Sequence, residues 1–136
     1  MSQKLLHKDI VELTRANDWF RREVVTGAHS QVMLMSILPG DEIGEETHNV
    51  DQTLVFVSGV GEAIIDGVSE MFDEGDLFFV PAGTRHNFKN TGVEPLKLFT
   101  IYAPGEHRAG TNHETKADAD RDEHEHHENT EAGRKE

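Results

Sequence analysis

The chain has 136 residues, enough for one domain with its own apolar core, and it contains no cysteine, so neither a disulfide nor a thiolate metal site is available to it. Thirteen Lys and Arg against 26 Asp and Glu give a formal charge of −13, which repels nucleic acid and anionic lipid and argues against either as a partner. No apolar run approaches the ~18 residues of a membrane span, and no apolar stretch follows the first lysines, so a cytoplasmic protein without a secretory leader is the expectation.

Residues 1–18 read as an N-terminal arm, in which Asp9 to Asn17, with apolar Ile10, Val11 and Leu13, make a short helix or an irregular segment. From Trp19 the pattern turns to strand. Phe20 to Val25 and Gln31 to Leu38 are rich in β-branched and apolar residues, with Gly27 between them. Pro39-Gly40 is a turn signal. Thr53 to Val57 is a dense β run that ends in Ser58-Gly59-Val60-Gly61. Glu62 to Ile65 is extended, and Asp66-Gly67 after it is a two-residue hairpin signal, because that turn needs φ > 0 at both positions. Asp73-Glu74-Gly75-Asp76 turns the chain before Leu77 to Val80, and Pro81-Ala82-Gly83 turns it again before His86 to Lys89. Asn90-Thr91-Gly92 leads to a last strand, Leu96 to Tyr102. Short strands with Gly, Pro and Asp punctuation and no helix between them predict an all-β sandwich or barrel over 19–104. Met33, Met35, Phe56, Phe78 and Phe88 are read as its core, while Tyr102 carries a hydroxyl near a strand end and is the candidate for a polar role.

Residues 105–136 differ in composition. From Glu106 on there is no Leu, Ile, Val or aromatic ring, and ten acidic residues face five basic ones. Such a segment cannot bury enough apolar surface to fold alone, so a disordered acidic tail, or one loosely laid on the barrel, is expected. It holds His107, His113, His124, His126 and His127. The last three read as part of a solvated polar tail, and His107 and His113 lie near enough to the barrel to cap its mouth. His29, ahead of the Gln31 strand, reads as a surface or core residue.

Two gapped segments carry the chemistry. Gly75 to Asn90 reads G-x5-P-x-G-x2-H-x3-N, with His86 as its histidine. Gly40 to Gly59 reads G-x5-E-x-H-x3-Q-x6-G, with Glu46, His48 and Gln52 at the polar positions. Along a strand, residues two apart share a face, so Glu46 and His48 project together, and Gln52 joins them if the strand stays regular. The glycines of both segments fall at strand ends, where positive φ is easiest without a Cβ. Two imidazoles, a carboxylate and an amide oxygen suit a first-row divalent ion: Mn, Fe, Zn or Ni. They also leave positions for water or substrate, as catalytic sites do.

This pair of segments resembles the cupin superfamily, in its small single-domain, phosphomannose-isomerase-like type, whose first motif usually carries His where Glu46 stands and Glu where Gln52 stands. The resemblance covers residues 28–104. It implies a double-stranded β-helix, or jelly-roll barrel, a divalent metal on Glu46, His48, Gln52 and His86, and a homodimer paired through the N-terminal strands, here Trp19 to Val25. It implies a small-molecule substrate. The leading expectation is an isomerase-like enzyme acting on a hydroxy-carbonyl compound such as a sugar or sugar phosphate, with Glu46 and Tyr102 as catalytic residues. Two alternatives stand beside it: a metal-dependent dioxygenase, because two His and one carboxylate permit it, and a non-catalytic small-ligand-binding cupin. Arg85 and Lys89, flanking His86, are read as solvated surface charges rather than anion-binding groups.

Overall fold

A computed structural model describes residues 5–122. Among them no helix is long and apolar enough to cross a membrane. Helix α1 (Ile10–Ala16) begins at Asp9, whose carboxylate accepts from the Glu12 amide as an N-cap. Nine strands follow: β1 (Arg21–Thr26), β2 (Gln31–Ile37), β3 (Asp51–Ser58), β4 (Gly61–Ile65), β5 (Val68–Phe72), β6 (Leu77–Val80), β7 (His86–Asn90), β8 (Leu96–Ala103) and β9 (Asn112–His113). They form a six-stranded sheet in the order β6-β3-β8-β2-β1-β9 and a three-stranded sheet in the order β5-β4-β7. All pairings are antiparallel, and the order is that of a jelly roll. The β4–β5 hairpin turns at Asp66 and Gly67, both at positive φ, 50° and 82°. The motif glycines Gly40, Gly59, Gly75 and Gly83 all take positive φ as well.

The inner rows of the strands change character along the barrel. In register across the large sheet, Ile37 lies beside Leu96, and Leu98 lies between Met35 and Phe56. One layer on, Met33 and Leu54 flank Thr100, and in the last layer Gln31 and Gln52 flank Tyr102. On β7 of the small sheet the inner row runs from Phe88 to His86 in the same sense. One end is thus hydrocarbon: Phe56, Phe72, Phe78 and Phe88 meet with ring centroids 4.1–6.1 Å apart, together with Leu54, Leu96 and Leu98. The other end is polar, with only a small apolar group of Met33, Val50 and Tyr102. Both polar and apolar rows follow from the two-residue period of the strands.

Two expectations are corrected. The segment through Glu46 and His48 is not a regular strand. Residues 42–46 run along β7 with isolated pairings, Glu42 to Lys89 and Glu46 to His86, and Gly44 at φ 111° interrupts them. The chain then bends at 49–50 before β3 begins.

The second correction concerns the C-terminal segment. Of the two expected arrangements, residues 105–122 take the second: they are laid on the barrel rather than disordered. β9 pairs with Arg21 and Arg22 of β1. Thr115 caps a helical turn over 116–122 by accepting from the Asp118 amide, and Ala119 on that turn is buried in the core. The segment has little apolar area of its own and is fastened to the barrel by hydrogen bonds, more firmly than its composition suggests. His124, His126 and His127 lie outside the described residues.

The outer face of the large sheet is apolar across four strands. Leu77, Val55, Phe99 and Leu34 form one row in register, and Phe79, Thr53, Ile101 and Val32 the next. Leu77 and Phe79 are exposed.

Candidate metal centre

β7 delivers His86 to the polar end of the barrel, and its ladder with residue 46 fixes the two backbones against each other: the Glu46 amide donates to the His86 carbonyl at 2.8 Å and the His86 amide to the Glu46 carbonyl at 2.9 Å. Four residues on, Asn90 holds the start of the first motif, its side-chain amide donating to the carbonyls of Ile37 and Glu94. His48 sits just ahead of the bend, where its carbonyl accepts from the Gly83 amide at 2.8 Å. The glycines and the motif asparagine therefore aim the site rather than enter it.

The ligand atoms of Glu46, His48 and His86 all lie within 4.8 Å of one another. Glu46 Oε1 is 3.0 Å from His48 Nε2 and 4.0 Å from His86 Nε2. His86 is buried. Its Nδ1 lies 2.9 Å from the Thr84 carbonyl, which can only accept, so Nδ1 carries the proton. Nε2 then presents a bare lone pair, buried, with no hydrogen-bond partner among the described residues. Gln52, on β3, donates from Nε2 to Thr100 Oγ1 at 3.0 Å, and its Oε1 is likewise buried without a partner among the described residues. Leaving such acceptors unpaired in a protein interior costs about 1–3 kcal/mol each. An imidazole lone pair and an amide oxygen are what a divalent transition ion takes, and a histidine whose other nitrogen donates to a carbonyl is the usual orientation of a ligand. The residues present fit the metal that the sequence implies.

Without an ion, charge ties the same groups together, and a metal would take the place of the His48 Nε2 proton. Burial opposes ionisation of Glu46, but the hydrogen bond from His48 and the charges of His48 and Arg21 outweigh it and hold the carboxyl below its usual range. Burial likewise opposes a charge on His48, yet Glu106 at Nδ1 and Glu46 at Nε2 together raise it to about 9. Glu106 Oε2 is 3.1 Å from His48 Nδ1, behind the ring as seen from Glu46. That is the place of the carboxylate that orients a ligating histidine.

Glu106 belongs to the segment read as tail. It arrives there because Gln31 grips the chain: Gln31 Oε1 accepts from the amides of Glu106 and His107 at 3.2 and 2.9 Å, and Gln31 Nε2 donates to the His107 carbonyl at 2.8 Å. His107 lies with its ring centroid 5.2 Å from that of Tyr102. The 105–113 segment is thus a strap across the polar end, with His107 on it. Tyr102 is buried, its ring 5.7 Å from that of His48, and burial pushes its phenol well above the ordinary value. It stays protonated. Arg85 and Lys89 face outward, paired with Glu45 and Glu42. His29 is exposed.

A family model described as a cupin domain matches residues 33–102. The chain is a cupin. It is 45% identical over 119 residues to the uncharacterized protein YrkC of Bacillus subtilis strain 168, covering 82% of this chain and 63% of that protein. It is 34% identical over 107 residues to the uncharacterized protein L612 of Acanthamoeba polyphaga mimivirus, covering 75% and 67%. The cupin chain thus spans about two thirds of the length of the curated relatives it matches. The crystal structure of BH2720 from Bacillus halodurans superposes with a TM-score of 0.85 at 42% identity, over 87% of this chain and 95% of that one.

Proposed function

We propose that this cupin is a metal-dependent enzyme acting on small hydroxy-carbonyl compounds, such as a sugar or sugar phosphate, in an isomerase-like reaction. The observation that carries the reading is the bare, buried Nε2 of His86 facing Glu46 and His48. A divalent ion held by His48, His86 and Glu46, with the free oxygen of Gln52 beside them, would supply Lewis acidity toward a carbonyl oxygen. The side chains then divide the proton work. Glu46 is ionised and has two oxygens. Oε1 faces the imidazoles, and Oε2 takes the proton from the carbon bearing the hydroxyl and returns it to the former carbonyl carbon. The hydroxyl proton passes to the former carbonyl oxygen, where the protonated Tyr102 donates a hydrogen bond.

The test is solvent exchange. Metal-loaded protein incubated with small aldoses and ketoses in D2O is expected to place deuterium on the carbon next to the carbonyl, and Glu46→Gln to lower that rate by about 10²-fold or more. Metal bound at the cluster with no exchange into any hydroxy-carbonyl compound counts against the enzyme and for a ligand-binding cupin. The oxidative alternative has one observation in its favour, since two imidazoles and one carboxylate make up the donor set of non-haem iron oxygenases. Dioxygen consumption matched to product supports it, and turnover without oxygen removes it.

The apolar outer face of the large sheet supports a homodimer in which two copies cover Leu77, Phe79, Phe99 and Ile101. This face reaches Val25 on β1, so it shares one strand with the expected N-terminal pairing. Light scattering on a sizing column is expected to give two copies for the wild type and one for Phe79→Glu. A monomeric wild type eliminates the pairing.

A further inference from the structure

Arg21 is among the largest fully buried side chains of the protein, 2% exposed on the inner face of β1 between Met35 and His113. A guanidinium cannot shed its proton, so this is a permanent charge inside the barrel. No ion pair joins it to a carboxylate among the described residues. Its one side-chain hydrogen bond there is to His113 Nδ1 at 3.3 Å. Because arginine only donates, that nitrogen accepts, and His113 Nε2 carries the proton it gives to Asp122 Oδ2 at 2.8 Å. The His113 ring therefore stands between the guanidinium and Asp122. Arg21 Nε is buried with no partner at all among the described residues. Burying an unpaired charge is strongly unfavourable, and a position like this calls for an anion.

The guanidinium is tied to the metal end through the strap, which sets Glu106 against His48 and His107 against Tyr102 and ends at His113, the residue that Arg21 holds; its charge bears on Glu46, Tyr102 and His107. Two of these neighbours are neutral, since Tyr102 keeps its proton and burial together with the Arg21 charge keeps His107 unprotonated; the third, Glu46, is ionised but makes no ion pair with Arg21 and is engaged by His48.

We propose that Arg21 is the anion-recognition group of this site, and that the substrate carries a carboxylate which pairs with Arg21 while its hydroxy-carbonyl end lies against Glu46, His48 and His86. This rests on the reading of that cluster as a site for hydroxy-carbonyl compounds and narrows it to hydroxy or keto acids, sugar acids included. The planar fork of a guanidinium matches a carboxylate in two parallel hydrogen bonds. One guanidinium balances one negative charge. A phosphate brings closer to two, and the surplus would fall beside Glu46 and Glu106, with Arg85 and Lys89 facing away on the surface.

The competing role for Arg21 is structural: through His113 it fastens β9 to β1. Calorimetric titration separates the two. The probes are glycolate, neutral hydroxyacetone and inorganic phosphate, titrated into the full-length wild type, Arg21→Lys and Arg21→Met, each both metal-loaded and chelator-treated. Glycolate is expected to bind the wild type more tightly than phosphate does, and to weaken about tenfold or more in Arg21→Met, with hydroxyacetone unchanged. Arg21→Lys keeps the charge and loses the fork, so it falls between them. If Arg21→Met does not fold by circular dichroism, a glycolate loss in a folded Arg21→Lys decides in favour. Glycolate binding equal in wild type and folded variants overturns the proposal, and so does tighter binding of phosphate. The chelator-treated arm keeps the two readings apart: Arg21-dependent glycolate binding without metal upholds this inference even where the metal reading fails.

Discussion

Phe88→Ala is expected to destabilise the protein by about 3–5 kcal/mol. Phe88 is fully buried, and its ring lies 5.3 Å from Phe78, 5.5 Å from Phe56 and 6.1 Å from Phe72. Removing it empties the centre of the aromatic cluster between the two sheets, which cannot collapse because every neighbour is anchored on a different strand. The site is affected as well. Phe88 is two residues from His86 on β7, its ring 6.0 Å from the imidazole, and its carbonyl accepts from the Ile43 amide that holds 42–46 against β7. Denaturant unfolding of the metal-free proteins measures the difference. Phe88→Leu, which leaves a smaller cavity, is expected to lose less. A loss below about 1 kcal/mol for Phe88→Ala contradicts this packing.

The second large effect is on metal-linked stability. A ligand that binds the folded state alone adds about 2.7 kcal/mol at a hundred times its dissociation constant, which raises Tm by several degrees in a domain of this size. Wild-type protein titrated with Mn, Fe(II), Zn or Ni is expected to show that rise for at least one ion. His86→Ala removes the nitrogen whose lone pair is already bare and oriented by Thr84, so the rise should largely vanish. Each variant is referred to its own metal-free Tm, so the packing lost with the ring cancels. An undiminished rise in His86→Ala places the metal elsewhere.

The barrel was legible because its punctuation is local. Asp66-Gly67 demands a tight hairpin, and Gly75, Pro81 and Gly83 bracket a short strand and the turn that presents His86. The strand alternation likewise shows in Gln31-Met33-Met35-Ile37 and in Leu96-Leu98-Thr100-Tyr102, whose polar members gather at one end once the register is known.

What escaped the sequence is non-local. The approach of Glu46 to His48 was expected from strand alternation, but the segment is irregular there and is shaped by contacts to His86 and Gly83 that are distant in the chain. The strap lacks every apolar signal of folded structure and is held by polar contacts, among them those to the Gln31 amide, to His48 and to Glu23, and by a two-residue pairing with β1. Arg21 drew no notice because β1 buries both Phe20 and Arg21, so alternation does not distinguish its faces, and the register shift between Glu23 and Val25 blurs it further. A buried cation on β1 becomes visible only when β9 and the strap cover it.

Elemental analysis is the most direct test of the central claim, that Glu46, His48 and His86 hold a transition metal. The protein is prepared without a nickel column, soaked in each candidate ion and desalted, beside a Glu46→Ala/His86→Ala double variant. The account predicts one equivalent of a first-row divalent ion in the wild type and none in the double variant. A wild type that retains no metal after soaking, or a double variant that retains as much, contradicts it.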